Sequence, residues 1–304
     1  MILKSGITFI LFLSLLTTVM SQTDEWADVV ITTEKLDDHM FLLQGRGGNI
    51  LVQIGDEGVL VIDSQFAPLS DKIHAAIRKL SDGDIRYLIN THWHGDHTGG
   101  NEAMSGHGAT IIAHENVLKR MSTEQLMKAF SRTVPASPEN ARPDITFSDN
   151  MSVTHNGEPA LIYHFENGHT DGDAVIYFPE SNVIHLGDLF FNGRYPFIDV
   201  GSGGSMDGVI KAINQILFIV NDRTQIIPGH GALANRGDLT TYRDVLQLVR
   251  SNVHDAIAAG KTQEEIRNMP VGGDYEVEWG KQWIKGKDLV DVIMSRMGDD
   301  QGVE

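Results

Sequence analysis

Short apolar runs broken by clusters of Gly, Asn and Asp dominate the first part of the chain and read as strands bounded by turns. Residues 29–33, 39–43, 49–54 and 58–63 form such a meander, with the turn Gly45-Arg46-Gly47-Gly48 joining two of them as a hairpin. Residues 69–80 change to helical spacing, with Ser70 or Asp71 near the start. Residues 85–90 are again a buried strand. A helical opening near Asn101, a strand over 110–113 and a helix over 115–130 follow, and 131–144, holding Pro135, Pro138 and Pro143, is a loop. The second half repeats the architecture. Strands are expected over 145–147, 151–154, 161–165, 174–178 and within 182–188, then a helix over 209–220 and a strand over 225–227. Beyond residue 235 the spacing is helical. An amphipathic helix covers 240–259, Thr262-Gln263-Glu264-Glu265 opens a short one as a capping box, and Trp279, Trp283 and Ile284 dock this appendage. Residues 298–304 are polar and expected to be a disordered tail.

The strand over 85–90 leads into Thr91-His92-Trp93-His94-Gly95-Asp96-His97. Isolated histidines are common, but four metal-ligand types in one turn require a shared cause. In extended chain, positions i, i+2 and i+4 point the same way, so His92, His94 and Asp96 are expected to converge. Gly95 eases the turn, and His97 points elsewhere, toward a second ion. Two ions are the natural reading, with His92 and His94 on one and Asp96 and His97 on the other. Three further candidates also sit in turns after strands: His169, Asp188 and His230. Each is weak alone; together they lie where α/β sheets hold their ligands. His114 reads as structural, Trp93 as packing, Asp171 and Asp173 as orienting His169, and Ser205 as a helix N-cap. In the loop after Asp188, Arg194 suits a substrate carboxylate while Tyr195 and Phe197 suit a pocket wall. The alternative is a surface arginine and a loop packed by its own aromatics.

Composition narrows this picture. The formal net charge of −17 over 304 residues disfavours nucleic acid and fits a small-molecule substrate. There is no cysteine, hence neither disulfide nor thiolate ligand. Lys4, the apolar run over 7–16 and small residues at Val19 and Ser21 predict a secretory signal over 1–21, cut before Gln22. Its apolar core is short for a membrane span, and no later segment is apolar enough to cross, so the mature chain is expected to be exported, periplasmic or secreted.

His92-x-His94-x-Asp96-His97, Gly168-His169-Thr170, Gly187-Asp188 and Pro228-Gly229-His230-Gly231, in this order, resemble the metallo-β-lactamase superfamily over about residues 29–235. The resemblance implies an α/β fold, the four-layer αββα sandwich, with a C-terminal helical extension. The domain would cover 22–235, with the helices of 236–304 packed on it. It implies that His92, His94 and His169 bind one zinc, that Asp96, His97 and His230 bind a second, and that Asp188 bridges them, Asp96 and Asp188 serving catalysis. Manganese or iron would suit the same donors. Two divalent ions exceed the charge of two aspartates and one hydroxide, which favours an anionic substrate. The implied activity is hydrolysis of an acyl bond by metal-bound hydroxide, in a β-lactam, lactone or related ester or thioester. An aspartate at 188, where cysteine-containing β-lactamases carry Cys, resembles instead the glyoxalase II, lactonase and phosphodiesterase branches. The competing expectations are a phosphodiesterase on the same site and a glyoxalase II-like thioesterase. Further rivals are a one-iron enzyme on His92, His169 and Asp188, and a non-enzymatic zinc-binding protein.

Overall fold

The structure, a computed structural model, describes residues 25–299. The expected signal over 1–21 and the end of the expected tail lie outside these residues; residues 298 and 299, expected in that tail, close the last helix.

The first half builds a seven-stranded sheet. Strands β1 (Thr32–Lys35), β2 (Met40–Gln44), β3 (Ile50–Gly55) and β4 (Gly58–Ile62) are antiparallel neighbours. Helix α1 (Ser70–Arg78) then crosses to β5 (Ile85–Ile89), parallel to β4. Helices α2 (Gly95–Thr98) and α3 (Asn101–Gly106) precede β6 (Thr110–His114), and α4 (Glu115–Met121) leads to a hairpin, β7 (Gln125–Met127) and β8 (Arg132–Val134). Strand β9 (Ile145–Phe147) closes the first sheet beside β6. The second sheet orders β10 (Asn150–His155), β11 (Glu158–Phe165), β12 (Asp173–Phe178), β13 (Val183–His185) and β14 (Gln225–Ile227), with α5 (Met206–Ile219) crossing to the last strand. Helices α6 (Arg236–Ala258), α7 (Gln263–Arg267), α8 (Glu276–Trp279) and α9 (Gly286–Asp299) complete the described chain.

Alternation along the strands explains the layers. In β4, Leu60 and Ile62 enter the core between the sheets, while Val59 and Val61 face α1 and α3 on the other side. In β12, Ala174, Ile176 and Phe178 meet that same inter-sheet core and Val175 faces α5. Strands buried on both faces read as continuous apolar runs. The result is the four-layer αββα sandwich, and α6 and α9 share the core under the second sheet with α5. Burial of these faces, at about 25 cal/mol per Å2 of apolar surface, is what holds helices to sheets.

Four local expectations change. Residues 29–31 do not join β1, because the Lys72 ammonium takes the carbonyls of Trp26, Ala27 and Val29. The helix expected to run to Phe130 ends at Met121, and the Gln125–Val134 pairing replaces its last turns. Ser131 closes that hairpin in the left-handed region at φ 47°. The loop expected over 131–144 therefore carries β8. The stretch after His94 is not extended: Gly95–Thr98 is one helical turn, which swings Asp96 and His97 away from His92 and His94.

Candidate metal centre

The edge of the sandwich gathers the seven residues into two groups. His92, His94, His169 and Asp188 form one, and Asp96, His97 and His230 the other, with the donor atoms of each group within 4.8 Å of one another. The first sheet supplies the residues after β5. The second supplies His169 from the β11–β12 turn, Asp188 after β13 and His230 after β14. Backbone bonds stitch the two edges together: Ala174 N donates to Thr91 O at 2.7 Å, and Asn49 N to Gly229 O at 2.8 Å.

The outer nitrogen of each histidine in the first group is committed. His94 Nε2 donates to Asp199 Oδ2 at 3.0 Å, and His169 Nδ1 donates to the Phe197 carbonyl at 2.8 Å. Thr91 Oγ1 gives its own proton to Asp63 Oδ2 at 2.7 Å and so accepts from His92 Nδ1 at 3.0 Å. The inner nitrogens are therefore lone pairs. They crowd together, with His94 Nδ1 2.8 Å from His169 Nε2 and 3.1 Å from His92 Nε2. Lone pairs at that spacing repel unless a cation lies among them.

Asp188 faces both groups. Its Oδ2 lies 3.5 Å from His169 Nε2 and 3.9 Å from His92 Nε2. Its Oδ1 lies 3.1 Å from His97 Nε2 and 3.5 Å from His230 Nε2, and is a buried oxygen without a hydrogen-bond donor. Asp96 Oδ2 closes the second group at 3.2 Å from His230 Nε2 and 3.7 Å from His97 Nε2. Imidazole and carboxylate donors, the orphaned Asp188 oxygen and facing lone pairs all fit divalent ions. The site also excludes side chains nearby. A Cβ at Gly48 would strike the His97 ring, and one at Gly229 would strike Asp188 Oδ1.

When no cation is bound, the two groups differ in charge. Burial lowers His92 well below the ordinary imidazole value and His169 to about 4, so both are neutral near pH 7. In the second group burial is outweighed: Asp188, Asp63 and Asp96 hold His97 well above the ordinary value, and Asp188 and Asp96 lift His230 to about 9. The carboxylates move oppositely. Despite burial, His97 and His230 draw Asp96 down to about 2, and His230, His97 and His169 hold Asp188 well below its usual range. An ion entering the second group must displace protons, while the first group offers free lone pairs. Zinc affinity of the second group is therefore expected to rise with pH up to and through about 9, where His230 gives up its proton, by up to about tenfold per unit for each proton displaced. Calorimetric zinc titrations in buffers of different ionisation enthalpy read those protons directly; equal, pH-independent affinity at both groups would refute this.

The structure also shows what positions the ligands. Asp63 and Asp199, each buried, hold His97 and His94. Neither is distinguished in the sequence except as an aspartate at a strand end or in a loop. Asp173 accepts from the backbone N–H groups of His169 and Thr170 and from Thr170 Oγ1, fixing the His169 turn. Asp171 does not reach His169; it forms a two-pronged bond with Arg120 at 2.7 Å. His114 is buried, stacked on His164 and bonded to the Ser148 carbonyl. Ser205 caps α5 through the Gly208 N–H.

A cavity of about 740 Å3 opens onto His94, Asp96, Asp188 and His230. Arg194, Tyr195 and Phe197 line it, as do Arg132 and Phe130, which the sequence did not mark, and Trp283, which it read as packing. Neither guanidinium has a hydrogen-bond or ion-pair partner among the described residues. Tyr195 is largely core, its hydroxyl donating to Glu276 Oε2 at 2.9 Å and tying this loop to α8. Trp93 is buried and donates to Ser202 Oγ at 3.2 Å. Trp279 packs the C-terminal helices inward, whereas Trp283, expected to do the same, stands 63 % exposed at the cavity rim.

Comparison with known proteins matches this geometry. The metallo-beta-lactamase superfamily profile covers residues 43–260. A type 2 metallo-beta-lactamase from Bacteroides fragilis is 22% identical over 67% of the chain and 80% of its own length. A hydroxyacylglutathione hydrolase from Nitrosococcus oceani is 27% identical over 66% of the chain and 67% of its own length. Among solved structures, a metallo-beta-lactamase from Pontibacter korlensis aligns with a TM-score of 0.58 at 18% identity, over 71% of this chain and 99% of its own.

Proposed function

Since the chain belongs to the metallo-β-lactamase superfamily and is a metal-dependent hydrolase of small molecules, we propose that it is an exported dinuclear zinc hydrolase that opens the acyl bond of an anionic substrate, a β-lactam, lactone or related ester or thioester. The observation that carries this reading is Asp188, whose two oxygens face two separate ligand groups built of imidazole and carboxylate alone. His92, His94 and His169 would hold one ion, Asp96, His97 and His230 the other, and Asp188 both. Bound zinc would lower the pKa of a water toward neutrality and polarise a carbonyl.

The chain's own residues supply the rest. Asp199 and the Phe197 carbonyl keep His94 and His169 in the tautomer that presents a lone pair inward. Asp63 does so for His97. Asp96 and Asp188 carry the negative charge against which two divalent ions leave a positive remainder, and Arg194, unpartnered among the described residues, adds to the attraction of an anion. The rings of Phe197 and Phe191 wall the ligands and exclude water. A thioesterase reading draws support from the hydroxyacylglutathione hydrolase relative, and the same residues would serve it. Export rests on the composition of residues 1–21; among the described residues no helix is long and apolar enough to cross a membrane.

Elemental analysis with turnover measurement tests the proposal. About two zinc ions per chain are expected, with hydrolysis of at least one β-lactam, lactone or thioester that a chelator abolishes and zinc restores. One equivalent of iron, or two zincs without turnover on any acyl substrate, would overturn it. N-terminal sequencing of the exported protein is expected to begin at Gln22; retention of Met1 would refute cleavage.

A further inference from the structure

Beyond the metal ligands, the cavity runs outward along a path of aromatic rings. Phe197 packs on His94 and His169, with ring centroids 5.8 Å from each. Its other side meets Phe130 at 5.1 Å and Trp283 at 5.6 Å, and those two stack on each other at 5.4 Å. The three rings come from three separate places: the β7–β8 hairpin, the loop after Asp188 and the segment between α8 and α9. Phe130 is 40 % and Trp283 63 % exposed, so the cluster lies at the surface instead of completing the core. On its far side is a second groove of about 720 Å3, walled by the same rings and by Ile198, Leu289 and Val292. The first cavity and this groove thus share a partition, and their apolar walls are continuous across it. Exposed apolar surface of this extent costs free energy in water and marks a binding site.

The charges differ as well. The guanidiniums of Arg132 and Arg194, without a partner among the described residues, line the metal-side cavity, while the outer groove is bordered by both signs, Asp288 and Asp291 beside Lys128 and Arg296, with Asp291 also pairing with Arg267. A negative group is favoured beside the ligands, and the groove offers it no such excess of positive charge. We propose that the substrate is an amphiphile: an anionic, hydrolysable head at the metal centre with a linear apolar chain that passes over Phe130, Phe197 and Trp283 into the groove along α9. This rests on the hydrolase reading for the head and adds the chain that the groove selects. A compact substrate would leave the groove and the exposed rims of Phe130 and Trp283 in water. A chain crossing the partition would cover them, with each methylene removed from water adding to affinity.

Carboxylates of increasing length, which mimic the acid released by acyl hydrolysis, separate the head from the chain. Dissociation constants of acetate, hexanoate and decanoate are measured by calorimetry on the zinc-loaded mature chain, with decanoate below its micellar concentration. Decanoate is expected to bind at least about tenfold more tightly than hexanoate. Ser295, exposed on α9, borders the groove, and Ser295→Trp is expected to fill it and erase the difference between decanoate and hexanoate. Trp283→Ala is a second, surface variant and is expected to weaken decanoate at least tenfold with little change for acetate. Equal affinity of hexanoate and decanoate for the wild type, or a preference for decanoate that survives both variants, overturns the proposal. The assay needs no turnover. A length preference without hydrolysis would sink the hydrolase reading and leave the chain site standing, and hydrolysis without length preference would do the reverse.

Discussion

Replacing Asp188 by serine is expected to cost one of the two zinc ions and to lower turnover by more than the roughly 10–100-fold seen when only an outer partner of a metal ligand is lost. Asp188 Oδ1 faces His97 and His230, and Oδ2 faces His92 and His169, so one side chain fixes the spacing of both groups. Without it the three histidines of the first group retain a complete set of neutral donors. The second group keeps Asp96, His97 and His230 but loses the carboxylate that most favours a cation there. Zinc is therefore expected to leave the second group first on dilution. Metal analysis and turnover on the same preparation of wild type, Asp188→Ser and Asp188→Asn provide the measurement. Two retained zincs with undiminished activity would show that Asp188 is not a shared ligand.

Asp63→Ala is expected to be the most damaging substitution outside the ligand set. The Asp63 side chain is fully buried and accepts three bonds: from Thr91 N at 2.8 Å, Thr91 Oγ1 at 2.7 Å and His97 Nδ1 at 2.7 Å. Alanine would leave three buried donors unpaired at about 1–3 kcal/mol each, a loss of roughly 3 kcal/mol or more. It would also inherit the left-handed backbone at φ 62°, which aspartate tolerates better than alanine. A fall of roughly 5–10 °C in the unfolding midpoint follows for a chain of this size. His97 would at the same time be free to turn, and through Thr91 so would His92, so both metal affinities should weaken. Asp63→Asn, which keeps an acceptor, should lie between. Unfolding curves and zinc titration on these variants decide it; an Asp63→Ala protein with unchanged midpoint and unchanged zinc affinity would refute the role assigned to this residue.

Much of this was legible in the residues, for reasons that are themselves physical. Strands β3, β4 and β12 are buried on both faces, and such strands announce themselves as unbroken apolar runs. The candidate ligands His92, His94, Asp96 and His97 were legible because their spacing has few other causes, and the structure divides them between two groups as that spacing suggested. The route to that division was different: a helical turn at Gly95–Thr98, not an extended chain, separates the pairs. The β7–β8 hairpin was hidden because Leu126, Phe130 and Val134 stand four apart, which is also the spacing of a helix face. Asp63 and Asp199 carry no local signature. Asp199 meets His94 across 105 positions of sequence, and only the folded sandwich makes that contact visible. Trp283 looked like another core aromatic, and nothing in its neighbours distinguishes a rim from an interior.

The division of the candidate ligands between the two sheets has a consequence for a chain that has no cysteine. His92 and His94 come from one half and His169 and Asp188 from the other; Asp96 and His97 likewise face His230 across the seam. An ion held in either group is therefore a reversible rivet added to the apolar faces, the backbone bonds and the side-chain contacts, Arg120 to Asp171 and Trp93 to Ser202 among them, that already join the halves. Its strength is not fixed by the covalent structure but by the surroundings. Each tenfold rise in free metal above the dissociation constant adds about 1.4 kcal/mol to the folded state. The stability of the sandwich is then expected to track metal supply: in a depleted medium the seam loses this contribution, so that the supply of the ion governs how firmly the two sheets are held as well as how much of the enzyme is active.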